Sequence, residues 1–242
     1  MANPAPKISA EEPVIAGPFS LFDNSFILEF LEPAKEREAS VLMRCVYKHD
    51  HPLVKKGAGH PQSPPLHLHL QQSESFCLLS GEIGTTTGWS VTKTIHTPET
   101  TGPSNPYLIP PWEPHCFWPS VNAKEDTTML VWAHPNPDDM DGKLDRLFFQ
   151  NLLIYMSDTF EGKEKMSLSH VMLMQHVTET ALIMFPKLWL LGPLRWWIPL
   201  QLQALGSAIA RWSGKKPLME KYCSKEEWES VQDRISGKPK RA

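Results

Sequence analysis

Cysteine is scarce. The 242 residues hold four (Cys45, Cys77, Cys116 and Cys223), with no CxxC pair. That argues against a disulfide framework or a thiolate zinc site, and reduced thiols in a cytoplasmic compartment are the simpler reading. A basic field is also lacking. With 24 Lys/Arg against 27 Asp/Glu the net charge is −3, too little positive charge to hold nucleic acid. No apolar run is long enough to span a bilayer. Trp196–Ala210 stays uncharged for 15 residues and contains Pro199, whereas a spanning helix needs about 20. The opening MANPAPKISAEEPVIAGPFS lacks the charged-then-apolar pattern of a signal peptide, so no secretory route is expected. Internal repeats and low-complexity tracts are absent as well.

Proline (23 residues) and tryptophan (9 residues) are abundant by contrast, and four tryptophans fall between Trp189 and Trp212. The 41% hydrophobic and 21% charged content is that of a globular chain, and the length suits one or two domains. Charge divides unevenly. Residues 1–140 carry 9 Lys/Arg and 16 Asp/Glu (−7), leaving 15 and 11 (+4) for 141–242, so the two parts are expected to have different jobs.

Residues 1–24 read as a Pro-rich arm. From 25 to 137, short segments rich in Val, Ile, Thr and aromatics alternate with Gly, Pro, Ser and Asn: SFILEF, ASVLMRCVY, PLHLHL, ESFCLLSG, WSVTKTI, PYLIP, HCFW and TTMLVWA. Strands this short and this closely spaced predict an antiparallel sandwich or barrel. Residues 138–242 change to helical spacing, with apolar positions at 144, 147, 148, 151, 152 and 155. A second helix is expected over SLSHVMLMQHVTETALIMF, capped by Ser167 or Ser169, and a short terminal one over KEEWESVQDRI, capped by Ser224. Between them, the Trp-rich stretch 182–212 is cut by Gly192, Pro193, Pro199 and Gly206.

The chemistry concentrates in His67-Leu68-His69, Glu74, Gly81, Pro110 and His115. Histidines at i and i+2 of a strand share one face about 6–7 Å apart, so both imidazoles can reach one ion. Glu74 follows the Gln71-Gln72-Ser73 bend and can swing onto the same centre, and His115 from a distant strand completes it. Three neutral nitrogens and one carboxylate hold a divalent ion while leaving coordination positions free.

These residues resemble the cupin superfamily. Its first motif runs glycine, five residues, HxH, three or four residues, Glu, six residues, Gly; its second places a proline five residues before a histidine. His67, His69, Glu74, Gly81, Pro110 and His115 match. Pro61 stands where the leading glycine belongs, Trp112 where the second motif has glycine, and Pro119 where it has asparagine. The resemblance covers about residues 25–135. It implies a mainly β fold, a cupin-like antiparallel β-barrel (jelly roll) followed by a helical extension, with His67, His69, Glu74 and His115 as ligands to one divalent ion. Iron, Fe(II), suits the implied activity, and manganese, zinc or nickel suit the same donors.

Around the ion, strand parity puts Phe76 and Leu78 on the face of Glu74, and Phe117 on that of His115. Trp112 and Phe117 are expected to line a substrate site, while Phe76 and Leu78 either line it or fill the barrel. Glu113 is read either as a general base or buttressing carboxylate, or as a solvated turn residue. Cys77 and Cys116 should point outward into packing against helices. His96, His134, His170 and His176 have no partners at ligand spacing. The segment 182–212 is a cover over the barrel, a homodimer contact or a peripheral membrane surface.

The cupin resemblance implies a mononuclear oxygenase or oxidoreductase acting on an apolar or aromatic small molecule. The alternatives are a non-redox isomerase, decarboxylase, dehydratase or cyclase, and a non-catalytic binding module. The overall make-up is similar to stand-alone cupins of fungal secondary metabolism, which implies a polyketide- or terpenoid-like substrate. No arginine is patterned as a clamp for a 2-oxo acid, so direct chelation of substrate is expected over a 2-oxoglutarate co-substrate.

Overall fold

A computed structural model of the chain describes residues 12–135 and 142–235. Among the described residues, eleven strands form two antiparallel sheets. In chain order they are β1 (Val14–Leu21), β2 (Phe26–Leu31), β3 (Val41–Tyr47), β4 (His67–His69), β5 (Ser73–Ser80), β6 (Ile83–Thr87), β7 (Thr92–His96), β8 (Tyr107–Ile109), β9 (His115–Pro119), β10 (Thr127–His134) and β11 (Thr180–Leu182). One sheet has the order β1-β2-β3-β10-β5-β8 and the other β11-β4-β9-β6-β7. In place of the expected barrel the chain forms an antiparallel sandwich, compatible with a jelly roll, whose two sheets are not hydrogen-bonded into one closed ring.

Alternation decides which side chains meet between the sheets. Val41, Met43, Cys45 and Tyr47 of β3 face inward beside Met129, Val131 and Ala133 of β10, with Phe76 and Leu78 of β5 in the same core. Residues of opposite parity, Leu42, Cys77, Leu130 and Trp132, form a second cluster under Ala39. Arg37 lies over the Trp132 ring at 5.1 Å and pairs with Glu12 at 2.5 and 2.7 Å. Cys77 therefore packs among strand residues and Ala39, and no α-helix residue belongs to that cluster among the described residues.

Four α-helices are found among the described residues: α1 (Gly142–Phe160), α2 (Leu168–Val177), α3 (Leu194–Trp212) and α4 (Lys225–Ile235). At α4, Ser224 and Glu227 exchange side-chain-to-backbone bonds at 3.2 and 2.8 Å, which makes a capping box. Ser167 occupies the N-cap position of α2 without a side-chain cap bond.

Several expectations change. Residues 14–21, assigned to the arm, form strand β1 on the edge of the larger sheet; residues 1–11 and the 137/138 boundary lie outside the described residues. The second helix stops at Val177 instead of continuing to Phe185. Glu179 turns the chain at φ +52, and Thr180–Leu182 then pair with His69–His67 to cover the edge of β4. In the 182–212 stretch, Pro199 and Gly206 do not cut the helix. Pro199 has no N–H for the Arg195 carbonyl, and the Met184 N–H takes that place at 2.9 Å. At Gly206 a Cβ would stand 2.3 Å from the Met172 sulfur, so glycine lets α2 and α3 cross closely.

Candidate metal centre

His67 and His69 project from β4, and His115 of β9 pairs directly with His67 across the ladder. After the 70–72 bend the chain changes sheets, and Glu74 enters from β5. The centre thus lies between the sheets, with three imidazoles from one and a carboxylate from the other. The four ligand atoms all lie within 4.8 Å of one another. Ring centroids are 4.5 Å apart for His67–His115, 5.2 Å for His67–His69 and 5.3 Å for His69–His115. Gly81, which closes the first motif, has φ +73, and a Cβ there would lie 2.5–2.6 Å from Thr127 atoms.

Backbone carbonyls set the tautomers. His67 Nδ1 donates to the Pro65 carbonyl at 2.9 Å, and His115 Nδ1 donates to that of Glu113 at 2.9 Å. A carbonyl only accepts, so each Nδ1 carries the hydrogen and each neutral ring presents a bare Nε2. His115 Nε2 faces Glu74 Oε2 at 2.8 Å, where two lone pairs repel unless a proton or a metal cation lies between them. His69 Nε2 is buried, has no hydrogen-bond partner, and stands 3.7 Å from the same oxygen. This donor set fits a divalent ion.

Burial and charge act differently on the three groups. Burial, then the adjacent His115 and His69 rings, push His67 down to about 3, which keeps its nitrogen free to bind. Burial alone would raise Glu74, but the hydrogen bond from His115 and the charges of His115 and His69 hold it well below the usual carboxylate range. Burial would lower His115, but the Glu74 carboxylate and the Glu113 carbonyl outweigh it and raise the ring.

A cavity of about 140 Å³ opens beside His67, His69 and Glu74. Its walls are Met43, Met129, Val131 and Phe117 from the sheets, and α1 and α2 close it with Phe149, Leu152, Leu153 and Met174. The polar exceptions include Tyr47, whose hydroxyl donates to the Gln62 side-chain amide oxygen Oε1, together with Gln175 and Thr178. Cys45 also lines it, and burial pushes that thiol up to about 12. A larger cleft of about 580 Å³ beside Glu32, Lys35 and Glu38 contains none of the four ligands.

The residues assigned around the ion separate. Phe117 lines the cavity. Phe76 does not; it is fully buried, edge-on to Phe117 at 5.1 Å and against His96 and Tyr107. Trp112 does not line it either. Its φ of +69, at the position where cupins have glycine, turns the ring outward onto Trp196 at 5.1 Å. Glu113 serves through its carbonyl, two residues before the ligand, as Pro65 does for His67. Sequence reasoning missed that pair of carbonyls, the Tyr47–Gln62 contact and the helical wall. The repeated i−2 spacing was a local signal for the first; the others depend on tertiary packing alone.

No family model matches the chain. It is 28% identical over 88% of its length to a "Probable oxidoreductase", virH, of Hypocrea virens, taking in 85% of that protein. It is 33% identical over 52% of its length to Oxidoreductase iacF of Pestalotiopsis fici, spanning 57% of that protein. Among solved structures, the hydroxypropylphosphonic acid epoxidase of S. wedmorenis aligns at 16% identity over 55% of this chain and 64% of its own, with a TM-score of 0.33. The polyketide cyclase RemF of Streptomyces resistomycificus aligns at 17% identity over 56% of this chain and 80% of its own, with a TM-score of 0.31.

Proposed function

We propose that this chain is a cupin-type oxidoreductase of the oxygenase kind that holds one Fe(II) ion on His67, His69, Glu74 and His115 and oxidises a small apolar or aromatic molecule of the secondary-metabolite kind, with dioxygen as the oxidant. The observation that carries the reading is the convergence of three imidazoles and one carboxylate beside a mostly apolar cavity that His67, His69 and Glu74 help to line. The oxidoreductase names of the relatives support the reaction class. An iron ion bound there would supply one-electron redox chemistry and free coordination positions.

The chain's own residues prepare that site. The Pro65 and Glu113 carbonyls fix the rings of His67 and His115 with Nε2 toward the centre. The Glu74 carboxylate offsets positive charge. Phe149, Leu152, Leu153 and Met174 exclude water and favour an apolar substrate. The volume is close to that of an engineered apolar cavity of about 150 Å³ that admits benzene, which suits a substrate group of about one ring. Cys45 lines the cavity but is not among the four residues whose ligand atoms converge. The free cysteines support a cytoplasmic setting.

The test needs no known substrate. Purified full-length protein, loaded anaerobically with Fe(II), is exposed to nitric oxide and followed by electron paramagnetic resonance. The expected result is the signal of a high-spin iron–nitrosyl, absent from His115→Ala. Protein that takes up zinc but neither retains iron nor gives the signal would contradict the redox assignment and favour Lewis-acid chemistry.

A further inference from the structure

The outer face of α3 and the turn before it belong to no core. Leu194, Trp197, Ile198, Leu202, Leu205, Ile209 and Trp212 recur at helical spacing and are all exposed. Before α3, Phe185 and Leu188 are exposed as well, and Trp189 and Leu190 are 76% and 79% accessible; Trp212 at the far end is 90% accessible. The opposite face is occupied. Trp196 and Leu200 pack with Leu68, Ala181 and Ile183, and Gly206 meets Met172 of α2. So α3 covers the helical layer and one sheet edge with one face and leaves a second apolar face bare. A surface of this kind marks an interaction site.

Its charge indicates the occupant. Residues 180–219 contain Lys187, Arg195, Arg211, Lys215 and Lys216 and no Asp or Glu. Arg195 is committed internally: it lies 4.0 Å over the Trp89 ring and donates to the Pro186 and Gly192 carbonyls. Lys187 and Arg211 are exposed beside the two tryptophan-bearing ends. A second copy docked symmetrically on this face would bring Lys187 and Arg211 against basic residues of its own kind. A negatively charged lipid surface complements it, and tryptophans at both ends of an apolar helix suit the headgroup boundary. No helix among the described residues is long and apolar enough to cross a membrane, so the helix would lie in the interface plane.

We propose that the Phe185–Trp212 face is a peripheral membrane-binding surface for anionic bilayers. The assignment is independent of the metal centre. The test is co-sedimentation of the full chain with vesicles of phosphatidylcholine containing phosphatidylserine, with pure phosphatidylcholine alongside. Binding is expected to the anionic vesicles and to be weaker on the neutral ones. Lys187→Glu with Arg211→Glu should cut it at least about tenfold. Trp189→Ser, Leu190→Ser and Trp212→Ser together should remove it; these side chains are so exposed that the fold does not depend on them, and circular dichroism checks that. Absence of binding, equal binding to both vesicle types, or binding unchanged in the triple variant would each overturn the proposal. If binding is absent and the triple variant turns a dimer into a monomer in sedimentation velocity, a second copy covers this face instead.

Discussion

Glu74 is the one carboxylate of the four candidate ligands, and its oxygen faces both His115 and His69. Glu74→Gln keeps the shape but removes the charge and presents a weaker donor. Divalent-metal affinity should fall by at least about tenfold in competition with a chromophoric chelator, on the scale of other changes at metal sites. Unchanged affinity would put Glu74 outside the coordination set. Away from the centre, His60 gives the folded protein a pH dependence. Its Nδ1 accepts from the Gln62 N–H and its Nε2 donates to Ser25, so it must be neutral. Burial, then the charges of His51 and Lys56, lower it from 6.5 to about 4. Between those values the unfolded chain binds a proton that the folded chain does not. The His60 contribution is therefore complete above pH 6.5 and declines as pH falls toward about 4. Denaturation of His60→Gln across that range should show a flatter slope; an identical slope would remove His60 from the account. At this scale the sequence was informative where period 2 governs, as for His67 and His69. It was silent on Tyr47 and Gln62, which neighbour each other only through folding.

Among the elements, the α2–α3 crossing depends on the absence of a side chain at Gly206. Gly206→Leu should cost about 1–3 kcal/mol in chemical denaturation, as overpacking does. Ala208→Leu on the exposed side of the same helix should change stability by less than about 0.5 kcal/mol. Equal effects would mean that the crossing is not tight. The strands that sequence pattern missed share a cause. β1 carries Gly17 and Pro18, β6 is Ile-Gly-Thr-Thr-Thr, and β11 continues a helical-looking apolar run. Each is specified by the sheet edge or neighbour it pairs with more than by its own residues. Likewise Pro199 reads as a breaker until Met184 is seen to satisfy the carbonyl it strands.

For the molecule as a whole, the candidate metal centre joins two sheets that share no ladder, because Glu74 comes from one and the histidines from the other. The motif offsets picked out the four candidate ligands before the architecture was known, and the fold brings them together. The wall that α1 and α2 add was not, since nothing in their periodicity says which cavity they close. The measurement that bears most directly on the account is metal content per chain after loading with Fe(II) and desalting, for wild type, His67→Ala and His115→Ala. The account predicts one ion per wild-type chain and loss of stoichiometric binding in both variants, with the fold retained by circular dichroism. Full occupancy in either variant would contradict it.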